Sequence, residues 1–147
     1  MVMVHLLNKA ADMYLAGDYA SGKTILRDRG AEGTLWEMND LGASQFTFLN
    51  LQDLDRSNWL DVVQAMSENR YLDGNTVTGT VQLVPHLGEP YSGTRWLRSP
   101  VDNSFVFNCL GVADGWRILD GRPIEKTIQL MANSEFAGTR WFIEVPV

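Results

Sequence analysis

The sequence predicts an all-β domain, mainly because four short phrases recur three times in the same order. Each phrase is rich in Val, Ile, Leu, Thr and aromatic residues and is bounded by Gly, Asn or Asp, which is typical of strands and turns. In addition, no alternation of strands and helices is visible along the chain. The phrases lie at 4–8, 46–50 and 105–108 (VHLLN, FTFLN, FVFN), at 15–17, 72–74 and 119–121 (Leu-x-Gly), at 23–28, 79–84 and 126–131 (KTILRD, GTVQLV, KTIQLM), and at 33–36, 93–96 and 138–141 (Gly-Thr-x-Trp).

Four strands in each of three units give about twelve short strands. No unit can bury its apolar face alone, so the three units must close on one another. Aromatic and leucine residues that repeat at strand positions are expected to fill the shared core rather than to serve as binding platforms. These residues are Trp36, Trp96, Trp141, Leu15, Leu72 and Leu119.

The Gly-Thr-x-Trp phrase near the end of each unit resembles the Gln-x-Trp signature of ricin-B-type lectins, with Thr in place of Gln. The chain is therefore similar to β-trefoil proteins over nearly its whole length. This resemblance implies a single domain over 1–147, with units at about 1–42, 43–101 and 102–147. It also implies that six strands form a barrel and six form hairpins that cap it, around a pseudo-threefold axis.

Length and composition restrict the class of protein. A chain of 147 residues is long enough for one domain with its own core, and 45% apolar residues favour a folded globule over disorder. The net charge of −6 argues against nucleic acid, whose phosphates require a surplus of Lys and Arg, and weakly against an anionic membrane surface. The only cysteine, Cys109, excludes an intrachain disulfide and suits a reducing compartment.

The N-terminal segment 1–17 has neither a charged n-region nor a long apolar run, so it does not resemble a signal peptide. No stretch is long and apolar enough for a membrane span. We therefore expect a cytoplasmic protein, or one released from cells by a non-classical route. The alternative is that a signal peptide has been removed from the sequence as printed.

The stretch GDYASGKT at 17–24 matches the phosphate-loop pattern G-x-x-x-x-G-K-[ST]. A phosphate loop requires a buried strand before it and a helix after it. In the repeat, however, Lys23-Thr24 aligns with Gly79-Thr80 and Lys126-Thr127, and the residues that follow favour a strand and a turn. We therefore expect a β-hairpin in which both glycines allow positive φ and Asp18 stabilises the bend, rather than a nucleotide site.

The resemblance to ricin-B-type lectins also implies a shallow sugar pocket in each unit. In such a pocket an aspartate accepts hydrogen bonds from vicinal hydroxyls, a ring stacks on the pyranose, and a polar residue precedes the last strand. The aspartate is matched by Asp73 and Asp120, whereas the first unit has Ala16, with Asp18 two residues later. The ring position falls at Asp28, Val84 and Met131, and the late polar position at Gly33, Gly93 and Gly138.

Aromatic rings occur instead in loops near the aspartates, which predicts pockets built from different residues. The candidate ligand-binding residues are Asp18 with Tyr19 in the first unit, Asp73 with His86 and Tyr91 in the second, and Asp120 with Asn133 and Phe136 in the third. The alternative role for Asp73 and Asp120 is that of a turn aspartate that caps its own Asp-Gly bend.

No catalytic constellation is visible in the sequence. There is no G-x-S-x-G elbow, and His5 and His86 are too few for a His-based zinc site beside one cysteine. Cys109 could in principle pair with His86 as a nucleophile, but it lies in a strand phrase and is expected to pack in the core. We therefore expect no enzymatic activity, no cofactor and no metal.

An insertion at about 53–69 interrupts the second unit. The residues spaced as one face of a short helix are Trp59, Val62, Val63 and Met66. Ser57 is the expected N-cap of this helix, although an irregular strand is the alternative. We expect the apolar face to pack on the barrel, and contact with a protein partner is the other possibility.

Together these features predict a carbohydrate-binding protein, a small β-trefoil lectin whose partner is a glycan. The alternative is a protein-binding, lectin-like trefoil, such as a companion subunit or a protease inhibitor, with degenerate sugar sites. A homodimer is compatible with either function, whereas nucleic acid and membranes are not expected partners.

Overall fold

The structure is a computed structural model that describes residues 2–55, 57–112 and 115–146. The described residues form twelve β-strands, one α-helix (α1, Trp59–Ala65) and one 3₁₀ helix (Ala137–Thr139), which confirms the all-β class. The strands are β1 (Val2–Asn8), β2 (Met13–Asp18), β3 (Lys23–Arg27), β4 (Trp36–Gly42), β5 (Gln45–Asn50), β6 (Tyr71–Gly74), β7 (Val81–Val84), β8 (Trp96–Val101), β9 (Ser104–Cys109), β10 (Ile118–Arg122), β11 (Thr127–Met131) and β12 (Trp141–Glu144).

Six of the strands close into an antiparallel barrel. Strand β1 pairs with β4 and β12, β5 pairs with β4 and β8, and β9 pairs with β8 and β12. Each of these strands therefore has two neighbours within the ring. Closure removes the open sheet edges that would otherwise present unpaired backbone groups.

The other six strands form three hairpins, β2–β3, β6–β7 and β10–β11. Each hairpin is joined to the barrel by a pairing of its first strand with β1, β5 or β9. The hairpins also meet one another, so that they form a cap on the barrel. The residues paired between hairpins are Lys23 with Gln82, Ile25 with Thr127, and Thr80 with Gln129.

The predicted core residues are all buried. The three tryptophans and three leucines of the repeated phrases are each 0% exposed, which confirms that these rings are not binding platforms. Each indole N–H donates to the carbonyl of a leucine at 3.0–3.1 Å, and this bond satisfies the one polar atom of the ring. The bonds join Trp36 to Leu15, Trp96 to Leu72, and Trp141 to Leu119.

Glycine begins each Gly-Thr-x-Trp phrase because two stretches of backbone touch there. A Cβ on Gly93 would lie 1.8 Å from the carbonyl oxygen of Gly74, and one on Gly33 would lie 2.2 Å from that of Gly17. The Gly74 N–H donates to the Gly93 carbonyl at 3.0 Å, as the Gly17 N–H does to Gly33. This contact explains why the Leu-x-Gly and Gly-Thr-x-Trp phrases recur together.

Polar side chains at the ends of three barrel strands bind the same glycine carbonyls. The Asn8 amide donates to Gly138 O and the Asn50 amide to Gly33 O, both at 2.9 Å. Cys109 holds the equivalent place, and its thiol donates to Gly93 O at 3.4 Å. The strand phrase of the third unit therefore extends one residue beyond 105–108, and Cys109 occupies the position of Asn8 and Asn50.

Cys109 is 0% exposed, which confirms that it packs in the core. Burial raises the pKa of its thiol to about 11, so the reactive thiolate is disfavoured. Burial and the raised pKa both oppose a role of this thiol as a nucleophile.

The stretch that matches the phosphate-loop pattern is a β-hairpin, as predicted. Asp18 ends β2 and Lys23 begins β3, so a strand rather than a helix follows the bend. Gly22 has φ +73° and its N–H bonds the Asp18 carbonyl at 2.8 Å. Gly17, by contrast, lies within β2 and does not need positive φ. The helix N-terminus that would bind a phosphate is missing from this segment.

The alignment of the hairpin phrases needs a correction of one residue. The residues with positive φ at the three bends are Gly22 (73°), Gly79 (79°) and Lys126 (59°). Each donates its N–H to the carbonyl four residues earlier at 2.8 Å. Lys23 is therefore equivalent to Thr80 and Thr127, and not to Gly79 and Lys126 as predicted.

The insertion contains a helix, but two predictions about it were wrong. Its N-cap is Asn58, whose side chain accepts from the Leu60 N–H at 3.0 Å, whereas the Ser57 hydroxyl bonds Asp55 at 2.6 Å. None of its residues is fully buried, so the predicted apolar face does not pack into the barrel, although Val62 is half-buried. The apolar residues that face solvent are Trp59 (74% exposed), Leu60 (74%), Val63 (44%) and Met66 (76%). Residue 56 of the insertion lies outside the described residues.

Among the described residues, no helix has the length and apolar character needed to cross a membrane.

Candidate functional site

The site of the second unit begins with a cross-strand pair in its hairpin. Asp73 on β6 lies opposite Gln82 on β7, and the Gln82 Nε2 donates to the Asp73 Oδ2 at 3.3 Å. The other carboxylate oxygen, Oδ1, accepts from the Gly93 backbone N–H at 3.1 Å. Asp73 is only 4% exposed, and these two bonds fix the orientation of its carboxylate.

The alternative that Asp73 caps its own bend is wrong. Asp73 lies inside β6, and the bend is capped instead by Asn75, whose Oδ1 accepts from the Val77 and Thr78 N–H groups at 3.0 and 3.1 Å. Asp120 likewise lies inside β10. Both aspartates are strand residues whose carboxylates reach across to other segments.

The Asp73 cavity has a volume of about 150 Å³, and its walls include Asp73, Gln82, Tyr91 and Ser92. Burial raises the pKa of Asp73 above its ordinary value, and the bonds from Gln82 and Gly93 act in the opposite direction. A carboxylate has about four acceptor positions, and two are used by the protein. The remaining lone pairs can accept from ligand hydroxyls.

Tyr91 supplies the aromatic wall of this cavity, as its predicted role requires. His86 stands behind it, with the two ring centroids 5.2 Å apart in an edge-to-face arrangement. His86 is exposed and bonds its neighbour Leu87 O at 3.1 Å, and it is not part of the cavity wall. The structure therefore brings Asp73 and Tyr91 together and gives His86 a supporting position.

The third unit repeats the pair at a second cavity. The Gln129 Nε2 donates to the Asp120 Oδ2 at 2.9 Å, and burial raises the pKa of this aspartate too. The Asp120 cavity has a volume of about 280 Å³, and Phe136 and Ile124 form part of its wall. Asn133 does not join it, because its Oδ1 accepts from the Glu135 N–H at 2.9 Å within its own turn.

The first unit carries an apolar pair at the corresponding place. Ala16 lies opposite Ile25, so neither an acceptor nor an amide is present. Asp18 bonds its own bend, where its carboxylate accepts from the Ala20 N–H at 3.1 Å and the Ser21 hydroxyl at 2.9 Å. The structure therefore does not place Asp18 in a pocket equivalent to the other two.

Tyr19 also has another role. Its ring lies under the Arg70 guanidinium, 4.2 Å from the ring centroid, and its hydroxyl bonds Asp53 at 3.5 Å.

The position expected to hold a stacking ring in the first unit shifts by one residue, from Asp28 to Arg27. The reason is the strand pairing: Arg27 pairs with β2 as Val84 pairs with β6 and Met131 with β10.

Two residues that bond the cavity aspartates, Gln82 and Gln129, were missed by the sequence interpretation. A signal for them was present, because a glutamine follows the Leu-Asp-Gly aspartate by nine positions in both units (73 to 82 and 120 to 129). The late polar position falls on a glycine in each unit, as the sequence alignment indicated. Glycine is required there by the backbone contact, and at Gly93 it is the main-chain N–H that acts.

Within 2–55, 57–112 and 115–146, no group of three or more His, Cys, Asp or Glu side chains is arranged to hold a metal ion.

No protein-family model matches the sequence, and no curated protein matches it significantly. Solved structures do match. A GlcNAcα1-4Gal-releasing endo-β-galactosidase from Clostridium perfringens aligns with 99% of this chain at 12% identity and a TM-score of 0.71. Only 32% of that enzyme's chain is covered, so the present chain spans about a third of its length.

Two further matches extend over nearly the whole of both chains. SeviL, solved bound to asialo-GM1 saccharide, covers 100% of this chain and 99% of its own at 8% identity, with a TM-score of 0.68. The BEL β-trefoil covers 99% and 93% at 14% identity, with a TM-score of 0.69. With the closed six-stranded barrel and its cap of three hairpins, these matches identify the chain as a β-trefoil.

Proposed function

We propose that this protein binds carbohydrate through the Asp73 and Asp120 cavities. The observation that carries the proposal is that a buried aspartate, oriented by a cross-strand glutamine, lines a shallow cavity with an aromatic ring in two units. The pair is replaced by Ala16 and Ile25 in the first unit. We therefore propose two sugar sites rather than three.

The chemistry of each site suits a pyranose. The fixed carboxylate accepts hydrogen bonds from two neighbouring hydroxyls, and such charge-assisted bonds are about twice as strong as neutral ones. The Tyr91 or Phe136 ring covers the apolar face of the sugar and supplies desolvation energy. A further support is that SeviL, which shares the fold, was solved with a saccharide bound.

A glycan array followed by calorimetric titration tests this function. We expect binding that is weakened by Asp73→Asn and by Asp120→Asn and abolished in the double variant. The matched control is Asp18→Asn, because the Asp18 carboxylate bonds Ala20 and Ser21 within its own bend and does not line either cavity. An array without a hit, or a double variant that binds as the wild type does, would contradict the proposal.

A second candidate function, protein binding, is favoured by the outward face of α1. The helix turns Asp61 and Gln64 toward a polar cavity shared with Tyr19 and Arg70, while Trp59 and its apolar neighbours face solvent. Four acidic residues and one basic residue lie in 53–69. An isologous dimer through this face would bring like charges together, so the face fits a different protein with an apolar groove bordered by Lys or Arg.

Affinity purification with the wild type and with the Trp59→Ser, Met66→Ser double variant tests the second function. A protein retained only by the wild type is purified, and its affinity is measured by calorimetry at low and high salt. We expect direct binding that weakens with salt. If both forms retain the same proteins, this face does not bind a different protein. The same conclusion holds if light scattering shows that the wild type forms dimers and the double variant does not.

A further inference from the structure

A second, larger cavity adjoins the Asp73 cavity. We call it the Leu87 cavity; it has a volume of about 490 Å³ and lies between the β4–β5 hairpin and the loop before β8. Its principal wall residues are Leu41, Thr47, Leu87, Glu89, Tyr91, Thr94 and Arg95. Tyr91 and Ser92 line both cavities, so the tyrosine ring and the serine form a common wall.

The volumes show that the Asp73 cavity holds only part of a ligand. Pockets for small molecules commonly measure about 300–1,000 Å³. The Asp73 cavity, at about 150 Å³, lies below this range, whereas the Leu87 cavity, at about 490 Å³, lies within it. A ligand anchored at the carboxylate of Asp73 therefore gains most of its further contact area by extending past Tyr91.

The wall of the Leu87 cavity has both apolar and polar parts. Leu41 and Leu87 are 43% and 41% exposed, which is enough to receive the apolar face of a sugar ring. Thr47 and Thr94 also line this cavity and are almost fully buried. Arg95 provides hydrogen-bond donors and Glu89 provides acceptors, so a ligand hydroxyl can either accept or donate a hydrogen bond here. Because the two side chains carry opposite charges, the wall does not require a charged ligand.

The loop that carries Tyr91 is held in place. The Tyr91 N–H bonds the Gly88 carbonyl at 2.8 Å, and the His86 ring packs edge to face against the tyrosine ring without lining either cavity. A shared wall that is already ordered lowers the entropic cost of binding.

We infer that the second-unit site takes a neutral oligosaccharide rather than a single sugar, with one pyranose at Asp73 and the next over Leu87 and Arg95. This inference rests on the proposed function of the Asp73 cavity. It adds Leu41, Leu87, Glu89 and Arg95 as residues that determine specificity.

Calorimetric titration of matched sugar pairs tests the inference. The Asp120→Asn variant serves as background, so that only the second-unit site is measured. The probes are galactose with lactose, N-acetylglucosamine with chitobiose, mannose with mannobiose, and glucose with cellobiose. For at least one pair, we expect the disaccharide to bind about tenfold or more tightly than the monosaccharide.

Variants then assign this advantage to the Leu87 cavity. Leu87→Ser and, separately, Arg95→Ala should reduce the disaccharide affinity to that of the monosaccharide and leave the monosaccharide affinity unchanged. Val145→Ser removes an aliphatic side chain that is 62% exposed elsewhere and should change neither affinity. Circular dichroism checks that each variant is folded.

The outcomes separate the two levels of the proposal. Equal affinities within every pair, or an advantage that persists in both Leu87→Ser and Arg95→Ala, would overturn the oligosaccharide inference while the sugar site at Asp73 stands. Binding that is unaffected by adding Asp73→Asn to the background, or no binding of any probe, would overturn the Asp73 site itself and the inference with it.

Discussion

At the scale of the residue, Asp73 combines a cost to the stability of the fold with the role in ligand binding that we propose for it. Its carboxylate is buried, and that burial raises its pKa, which means that the charged form is disfavoured in the folded state. A buried group that is both charged and oriented toward a cavity is characteristic of functional sites. The same residue should therefore affect stability and ligand binding in opposite directions.

We predict that Asp73→Asn leaves the free energy of unfolding at neutral pH unchanged or raises it. Asparagine keeps an oxygen that can accept from the Gly93 N–H and removes the desolvated charge. Its NH₂ group replaces the acceptor of the Gln82 amide, and the exposed Gln82 side chain restores the pairing by turning its own oxygen toward position 73. Binding at the second-unit site should fall by about 10- to 100-fold, because a hydrogen bond to a charged group contributes about 1.5–3 kcal/mol. Urea unfolding and calorimetric titration measure the two effects, and a variant that is clearly less stable would show that the charge stabilises the fold.

The two effects should also depend on pH in opposite ways. Because the folded-state pKa of Asp73 is raised, its protonated form stabilises the protein fully below the ordinary value of 3.8, and this contribution is lost as pH rises through the raised pKa. Ligand binding needs the carboxylate and should weaken as pH falls through the same window. Unfolding and titration over this range are compared with the Asp73→Asn variant, which lacks this one titration, so the difference between the two proteins isolates Asp73. Parallel trends of stability and binding in that difference would show that the assignment is wrong.

The sequence identified the aspartates and Tyr91 but not their partners. Asp73, Asp120, Tyr91 and Phe136 stood in recognisable phrases and loops, and the structure places them at the two cavities. Asn133 was grouped with Asp120 because it is near in sequence, but its side chain is used within its own turn. Proximity along the chain does not determine which way a loop side chain points, and only the strand register does so reliably.

At the scale of the element, α1 shows what hydrophobic periodicity can and cannot predict. The spacing of Trp59, Val62, Val63 and Met66 predicts a helix, and α1 forms over Trp59–Ala65 with Met66 as its C-cap. Val62 is half-buried, whereas the other three are exposed. The spacing does not say whether the apolar face meets the barrel, because periodicity describes the helix alone. The structure turns Asp61 inward, where it accepts from the Asp55 N–H at 3.2 Å, and so the apolar face is directed outward.

We predict that Trp59→Ser with Met66→Ser changes the free energy of unfolding by no more than about 0.5 kcal/mol, because substitutions at exposed positions rarely exceed this value. Leu72→Ala, at a position that is 0% exposed, is the contrasting variant and should cost about 2–5 kcal/mol. Thermal unfolding measures both. A large loss in the double serine variant would show that the α1 face packs against the domain in solution.

At the scale of the whole molecule, the repeated phrases specify how the units meet. The Leu-x-Gly and Gly-Thr-x-Trp glycines touch, and a side chain from a barrel strand of another unit binds the same carbonyl. The order of phrases therefore sufficed to predict the β-trefoil. The order of phrases did not suffice to align the hairpins residue by residue. Gly22 and Lys126 are equivalent because both adopt the left-handed conformation, and their different side chains hide this equivalence in the sequence.

The side chains at the junctions between units give the last prediction. Asn8 and Asn50 are each 0% exposed, and each amide donates to a glycine carbonyl at 2.9 Å. Asn8→Ala and Asn50→Ala should each cost about 1–3 kcal/mol, because each removes that buried bond and the one that the side-chain oxygen accepts from the Ala11 or Gln52 N–H. Asn8→Cys should cost less, about 0.5–1.5 kcal/mol, because Cys109 shows that a thiol fits this position and bonds the carbonyl weakly.

Urea unfolding under reducing conditions, followed by tryptophan fluorescence, measures these losses, and Ser99→Ala on β8 serves as a control away from the junctions. Asn8 contacts Gly138 and Asn50 contacts Gly33, so the two alanine variants act at different junctions and their costs should add. If Asn8→Ala left stability unchanged, or if cysteine were as costly as alanine at position 8, the carbonyl bond would not be what holds the units together. The backbone contact between the paired glycines would then be sufficient by itself.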